Sequence, residues 1–125
     1  MADDEYAAQT AFLRARLDED EVWAREAVPR PWLTQDNFIE SPDGGEVARF
    51  NMKADARLAA QYDPARVLRE VEAKRRILDQ LGTDLSYRPP VPVGHRRAWA
   101  IASLIAEAMA GPYSDHPDYR RERKP

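Results

Sequence analysis

Proline sets the limits on helix in this chain. It lacks a backbone donor and clashes with the preceding turn, so it suits the first position of a helix and ends one elsewhere. Ten prolines stand among 125 residues. Pro29 and Pro31 close one long stretch, and Pro64 opens a second. Pro89, Pro90 and Pro92 separate that from a third, which Pro112 ends. The chain is thereby divided into three long helical stretches and short extended connections.

The first stretch predicts a helix over about Asp4 to Ala27. Asp3 or Asp4 caps it, and acids in its first turn suit the positive end of the helix dipole. At 100° per residue, Tyr6, Leu13, Leu17 and Ala24 form one stripe, with Phe12, Trp23 and Ala27 beside it. Asp20 projects toward the same side, as a boundary residue paired with an arginine. Glu21 and Arg25 are spaced as an i,i+4 pair. The clearest signal is the second stretch. Asp63 is an N-cap, Pro64 takes the first helical position, and Gly82 is expected as the left-handed stop after Leu81. Val67, Leu68, Val71, Leu78 and Leu81 define its buried stripe. Glu70–Lys74 and Glu72–Arg76 have the favourable i,i+4 orientation. A short helix is expected over Ala54–Gln61.

Between the first two stretches the period changes. Ser41-Pro42-Asp43-Gly44-Gly45 supplies turn chemistry between short apolar segments. It predicts one β-hairpin, Asn37–Glu40 with Glu46–Phe50, within about 37–50. Two strands alone are marginal in water, so the hairpin must lie on helices, with Trp32 as its pin. Residues 83–94 form a connector rich in extended polyproline backbone.

A last helix is expected from His95 to Ala110, stopped by Gly111-Pro112. From Ala98 to Ala110, 11 of 13 residues are apolar. A helix apolar almost all round is normally buried. It is therefore either the central element of the domain or, over part of its surface, a contact with another chain, such as a homo-oligomer formed through helix 95–110. The expected architecture is mainly α: a small helical bundle of three main helices with one short β-hairpin, a single domain over 1–112, and a C-terminal tail over 113–125.

Charge is unevenly placed. The net charge is −3, with residues 1–50 at −7 and residues 51–125 at +4. Such asymmetry marks an interaction tail or two halves that pack and neutralise each other, and helices that need partners favour the second. With no cysteine there is no disulfide, thiolate nucleophile or Cys-built zinc site. No stretch approaches the ~20 apolar residues of a membrane span, and the opening Met-Ala-Asp-Asp-Glu lacks a cationic leader region. The expectation is a cytoplasmic chain without membrane contact.

Several runs bring a family into view. The segment Phe12–Glu21 (FLRARLDEDE), Pro29-x-Pro31-Trp32 and Val47-Ala48-Arg49 resemble landmarks of a small, functionally uncharacterised family of actinobacteria and their phages. The run Asp63–Leu78 (DPARVLREVEAKRRIL) is similar to its central helix, and Pro112–Arg120 (PYSDHPDYR) to its terminal motif. These landmarks span residues 12–120, with a poor match over 82–110. Many members carry a Cys- and His-containing loop there, suggestive of a zinc knuckle. This chain has the proline-rich connector and apolar helix instead, so zinc is not carried over. The resemblance implies that such a metal was structural, replaced here by hydrophobic packing of Trp99, Leu104, Ile105 and Met109. It implies no reaction.

The residues themselves point away from catalysis. Asp115, His116 and Asp118 bring an imidazole near two carboxylates. Around Pro117, however, they read better as a turn, with His116 a surface or partner contact. No serine has an adjacent base, and Asp18–Glu21 point in different directions along a helix. Asp43-Gly44-Gly45 lacks the Lys and Ser/Thr of a phosphate loop. The expectation is no enzyme, no cofactor and no metal. It is instead a small interaction protein, an adaptor or inhibitor of an unidentified protein partner, associated with a phage or mobile element by resemblance. The interaction candidates are Arg66, Arg69, Arg76, Trp32, Trp99, Tyr113, His116 and Asp118. The alternative is a nucleic-acid-associated accessory or regulatory protein using the Arg66, Arg69 and Arg76 face and the basic tail Arg120–Lys124. Acidic residues beside that face and a pI of about 5.4 weigh against it.

Overall fold

The computed structural model describes residues 2–27, 32–87 and 90–119, with side chains from Ala7 onward. The Asp3 or Asp4 cap, Tyr6, the Pro29/Pro31 helix stop and the tail Arg120–Lys124 lie outside the side chains and residues described. Helix α1 runs Ala2–Glu26, strands β1, β2 and β3 cover Leu33–Gln35, Phe38–Glu40 and Glu46–Arg49, and α2 is Lys53–Gln61. Helix α3 is Pro64–Leu85, and α4 is Arg96–Ala110, with single 3-10 turns at Val93–His95 and Gly111–Tyr113. Among the described residues the chain is mainly helical, with four helices of seven or more residues, so the expected three main helices are approximate.

Packing divides the described residues into two compact units, and the division falls within α1 and within α3. One unit holds α1 as far as Leu17 together with everything from Lys74 onward; the other is Asp18–Ala73.

In the second unit the expected hairpin is a three-stranded antiparallel sheet in the order β1-β2-β3. The added strand β1 pairs Leu33 with Glu40, Thr34 with Ile39 and Gln35 with Phe38. That register leaves Asp36 and Asn37 as a two-residue connection. Asp36 has φ 53°, the left-handed conformation that tight hairpins need and Asp tolerates. The β2–β3 connection is the expected one. Ser41 N–H donates to Gly45 O at 2.8 Å, and Gly44 takes φ 89°. Asn37 closes the far end, its Nδ2 donating to Phe50 O at 2.7 Å. Helix α2 lies on β1 and β2, where Ile39 and Ala56 are buried.

Asp63 acts as the sequence predicts. One carboxylate oxygen accepts the Arg66 N–H at 2.9 Å, capping α3 at its third residue, with Pro64 at the first helical position. The other oxygen accepts the Trp32 N–H at 3.4 Å, so one side chain ties the sheet's entry to the start of α3. Glu70 pairs with Arg66 at 2.9 Å rather than with Lys74 as its spacing suggested. Gly82 does not stop the helix. Glycine inside a helix costs only ~1 kcal/mol, and Asp84 and Leu85, both half-buried, carry α3 on. The stop comes at Ser86, whose N–H and hydroxyl both donate to Thr83 O, at 3.3 and 2.6 Å.

In the first unit, Phe12, Leu13, Leu17, Leu78, Val91, Ala102, Ala106 and Ala110 are buried. Arg14 on α1 pairs with Asp79 on α3 at 3.0 Å. The connector is shorter than expected and is fastened at its end: Arg96 Nε donates to Val91 O at 2.9 Å, and Tyr87 stacks on His95 at 4.5 Å.

Two burial expectations need correction. Trp23 is 66% exposed. It lies beside the α1 stripe rather than on it, and the neighbouring Ala24 is the residue buried there. Helix α4 is not wrapped on all sides. Its buried residues are Ala102, Ala106 and Ala110, so Leu104 and Ile105 do not pack where the resemblance implied.

Removal of the Asp63 carboxylate should release two donors at once. Asp63→Ala is expected to cost about 1–2 kcal/mol and to lower Tm by roughly 4–8 °C, read by circular dichroism, while Asp63→Asn keeps most of the cap.

Candidate functional site

The described residues bring together two arrangements beyond ordinary packing. The first centres on Phe12 and Arg16, one helical turn apart on α1. Phe12 is buried and meets three aromatic rings edge-on: His116 at 5.7 Å, Tyr119 at 5.8 Å and Tyr113 at 6.3 Å. The Arg16 guanidinium sits over the Phe12 ring at 5.3 Å. It also reaches His116, with Nη1 2.9 Å from Nδ1 and in contact with Nε2. Asp118 sends its N–H to His116 Nδ1 at 3.0 Å, and its carboxylate lies 3.8 Å from Arg16. Edge-to-face rings and a cation over a ring each add a fraction of a kcal/mol to about 1.5 kcal/mol beyond simple burial.

Three sequence candidates, Tyr113, His116 and Asp118, therefore meet in one place, on the segment expected to form the tail. Sequence reasoning missed the residues that gather them, Phe12 and Arg16. The i,i+4 spacing of an aromatic and an arginine on α1 was the available signal. Chemically, the His116 ring is engaged by Arg16 and by the Asp118 amide. Among the described residues no group of three or more His, Asp and Glu side chains could hold a metal ion. Three serine hydroxyls are tied to structural acceptors: Ser103 to Trp99 O at 2.8 Å, Ser86 to Thr83 O, and Ser41 to Asp43.

The Ser41–Asp43 contact has an electrostatic consequence. The Ser41 hydroxyl, and then the Gly45 N–H, hold the Asp43 carboxyl below the usual carboxylate value. A folded-state pKa lower than the unfolded one stabilises the turn above the unfolded value, and that contribution is lost as pH falls through the folded one.

The second arrangement is the outer face of α4. Arg97, Ile101, Leu104 and Ala108 follow spacings of four, three and four, a continuous helical stripe. They lie opposite Ala102, Ala106 and Ala110, and all four are exposed. Ile101 is 49% exposed, Leu104 67% and the flanking Ile105 37%. A buried Ile or Leu contributes about 1.5–3 kcal/mol, so these three leave several kcal/mol of burial unrealised. Trp99 is half-buried on the inner side of the helix. The apolar excess of α4 is plain in the sequence, but the division into a small inner face and a large outer face is not.

The remaining candidates are dispersed. Trp32 is half-buried beside the α3 cap. Arg66 stacks over Tyr62 at 4.8 Å and donates to Gln61 O at 3.2 Å, besides pairing with Glu70. Arg69 is exposed in the same unit as Arg66, and Arg76 is exposed in the other.

Over residues 7–125 the chain matches a family model described as a family of unknown function (DUF6221). The chain belongs to that family. No curated protein and no solved structure matches it. No helix among those described is long and apolar enough to cross a membrane.

Two measurements check these assignments. By NMR titration Asp43 should ionise below the ~3.9 of an ordinary aspartate, and Ser41→Ala should move it back up. Phe12→Ala should destabilise the protein by ~3–5 kcal/mol in denaturant unfolding and broaden the Tyr113 and Tyr119 ring signals.

Proposed function

We propose that this chain is a non-catalytic protein-interaction module whose docking surface is the outer face of α4. One observation carries the reading: the residues α4 buries fully are alanines, while Ile101 and Leu104 face outward with Ile105 beside them. Apolar faces of this kind, bordered by charged residues, mark contact surfaces more often than idle ones. Arg97 and Glu107 provide such a border. The engagement of His116 by Arg16 supports a structural rather than catalytic role for the terminal motif.

The nucleic-acid alternative draws less support, because Arg66 is committed to Glu70, Tyr62 and Gln61 within its own unit. A phosphate would have to displace those contacts. We further propose a cytoplasmic setting in the service of a phage or mobile element, on the resemblance of sequence alone.

The test is capture of protein on the tagged full-length chain from lysate, with and without nuclease. Protein retained after nuclease and lost with Leu104→Glu is the expected result, with the variant's far-UV circular dichroism unchanged. Duplex binding with a steep salt slope, abolished by Arg69→Glu with Arg76→Glu, would contradict it.

A further inference from the structure

The outer face of α4 is complementary to itself when turned end for end. Its apolar centre is Ile101 and Leu104. A basic residue, Arg97, stands at the end toward the N-terminus, and an acidic one, Glu107, stands toward the other. Small residues, Ala100 and Ala108, flank the centre, and all of these side chains are exposed. A second copy of α4, turned end for end, sets an apolar centre against this one and an acidic residue near Arg97.

We infer that two copies of this chain pair through α4, antiparallel, about a two-fold axis passing between Ile101 and Leu104. The inference rests on the reading of α4 as a docking face and names its occupant. In that register Ile101 of each copy packs against Leu104 of the other, as alternating knobs of a helix pair. Arg97 lies over Ala108 of the second copy and next to its Glu107, and symmetry repeats the ion pair at the other end. A parallel pairing would set Arg97 against Arg97 and Glu107 against Glu107, and would align the two helix dipoles unfavourably. Charge therefore selects the antiparallel arrangement.

The size of the face sets the strength. One helix of 15 residues against another falls below the ~1,200 Å² that stable specific interfaces bury. The dimer should accordingly be weak, with Kd in the micromolar range or above and readily exchanging.

Sedimentation equilibrium of the full chain from roughly 1 μM to 1 mM tests this. The expected result is a concentration-dependent rise from 14.3 kDa toward twice that mass. Leu104→Glu should remain monomeric at every concentration. Arg97→Glu, at an exposed position that folding does not require, should weaken the dimer about tenfold by setting Glu against Glu at both ends. The exchange Arg97→Glu with Glu107→Arg should restore it to within about threefold. A monomer throughout would overturn self-pairing, as would a dimer indifferent to Leu104→Glu. A dimer that Arg97→Glu weakens and the charge exchange leaves unrestored would overturn the antiparallel register. The docking reading fails separately, if Leu104→Glu leaves protein capture from lysate unchanged.

Discussion

Alanine on the inner face of α4 is the constraint from which the functional argument follows. Ala102, Ala106 and Ala110 are the fully buried residues of α4, with Trp99 and Met109 half-buried, while Ile101 and Leu104 stand on the opposite side and Ile105 flanks them. Burying alanine returns little hydrophobic free energy per residue, and exposing isoleucine and leucine leaves much of theirs unrealised. A sequence with no use for the outer face could place Lys, Glu or Gln there, with better helix propensity than Ile and better solvation. The apolar outer stripe is thus a feature of α4 that its own packing does not explain and that the proposed docking would.

Each unit is held by a few side chains that do more than one job. In the unit of residues 18–73, Asp63 caps α3 with one oxygen and receives the Trp32 amide with the other. In the other unit, Arg16 stacks on Phe12 and reaches both His116 and Asp118, so both side chains tie the terminal motif to α1. The motif that most invites a catalytic or metal reading thus also has a packing role. Its histidine is engaged from two directions, by a guanidinium and by a backbone amide.

The parts of the fold legible in the sequence were those fixed by local chemistry. Asp63-Pro64 identified the start of α3, and Gly111-Pro112 the end of α4. Ser41-Pro42-Asp43-Gly44-Gly45 marked the turn between β2 and β3. Strand β1 escaped because its signal, Asp36-Asn37, is a two-residue turn without glycine, and because its three residues are all exposed. Gly82 misled because its flexibility permits a helix stop without compelling one. For the site, the apolar character of α4 was legible, yet its inner and outer faces were not, since Ala and Leu count alike in an apolar pattern. Phe12 and Arg16 were invisible as a pair with the terminal motif, being about 100 residues from it along the chain.

Methyl NMR of the full chain over a dilution series tests the central claim most directly, because it reports on each apolar side chain separately. Pairing through α4 predicts concentration-dependent shifts for the methyls of Ile101, Leu104 and Ile105, while those of the buried Leu13, Leu17 and Leu78 stay constant. Shifts confined to other exposed residues such as Leu58 or Val22, or none on α4 at any concentration, would contradict it.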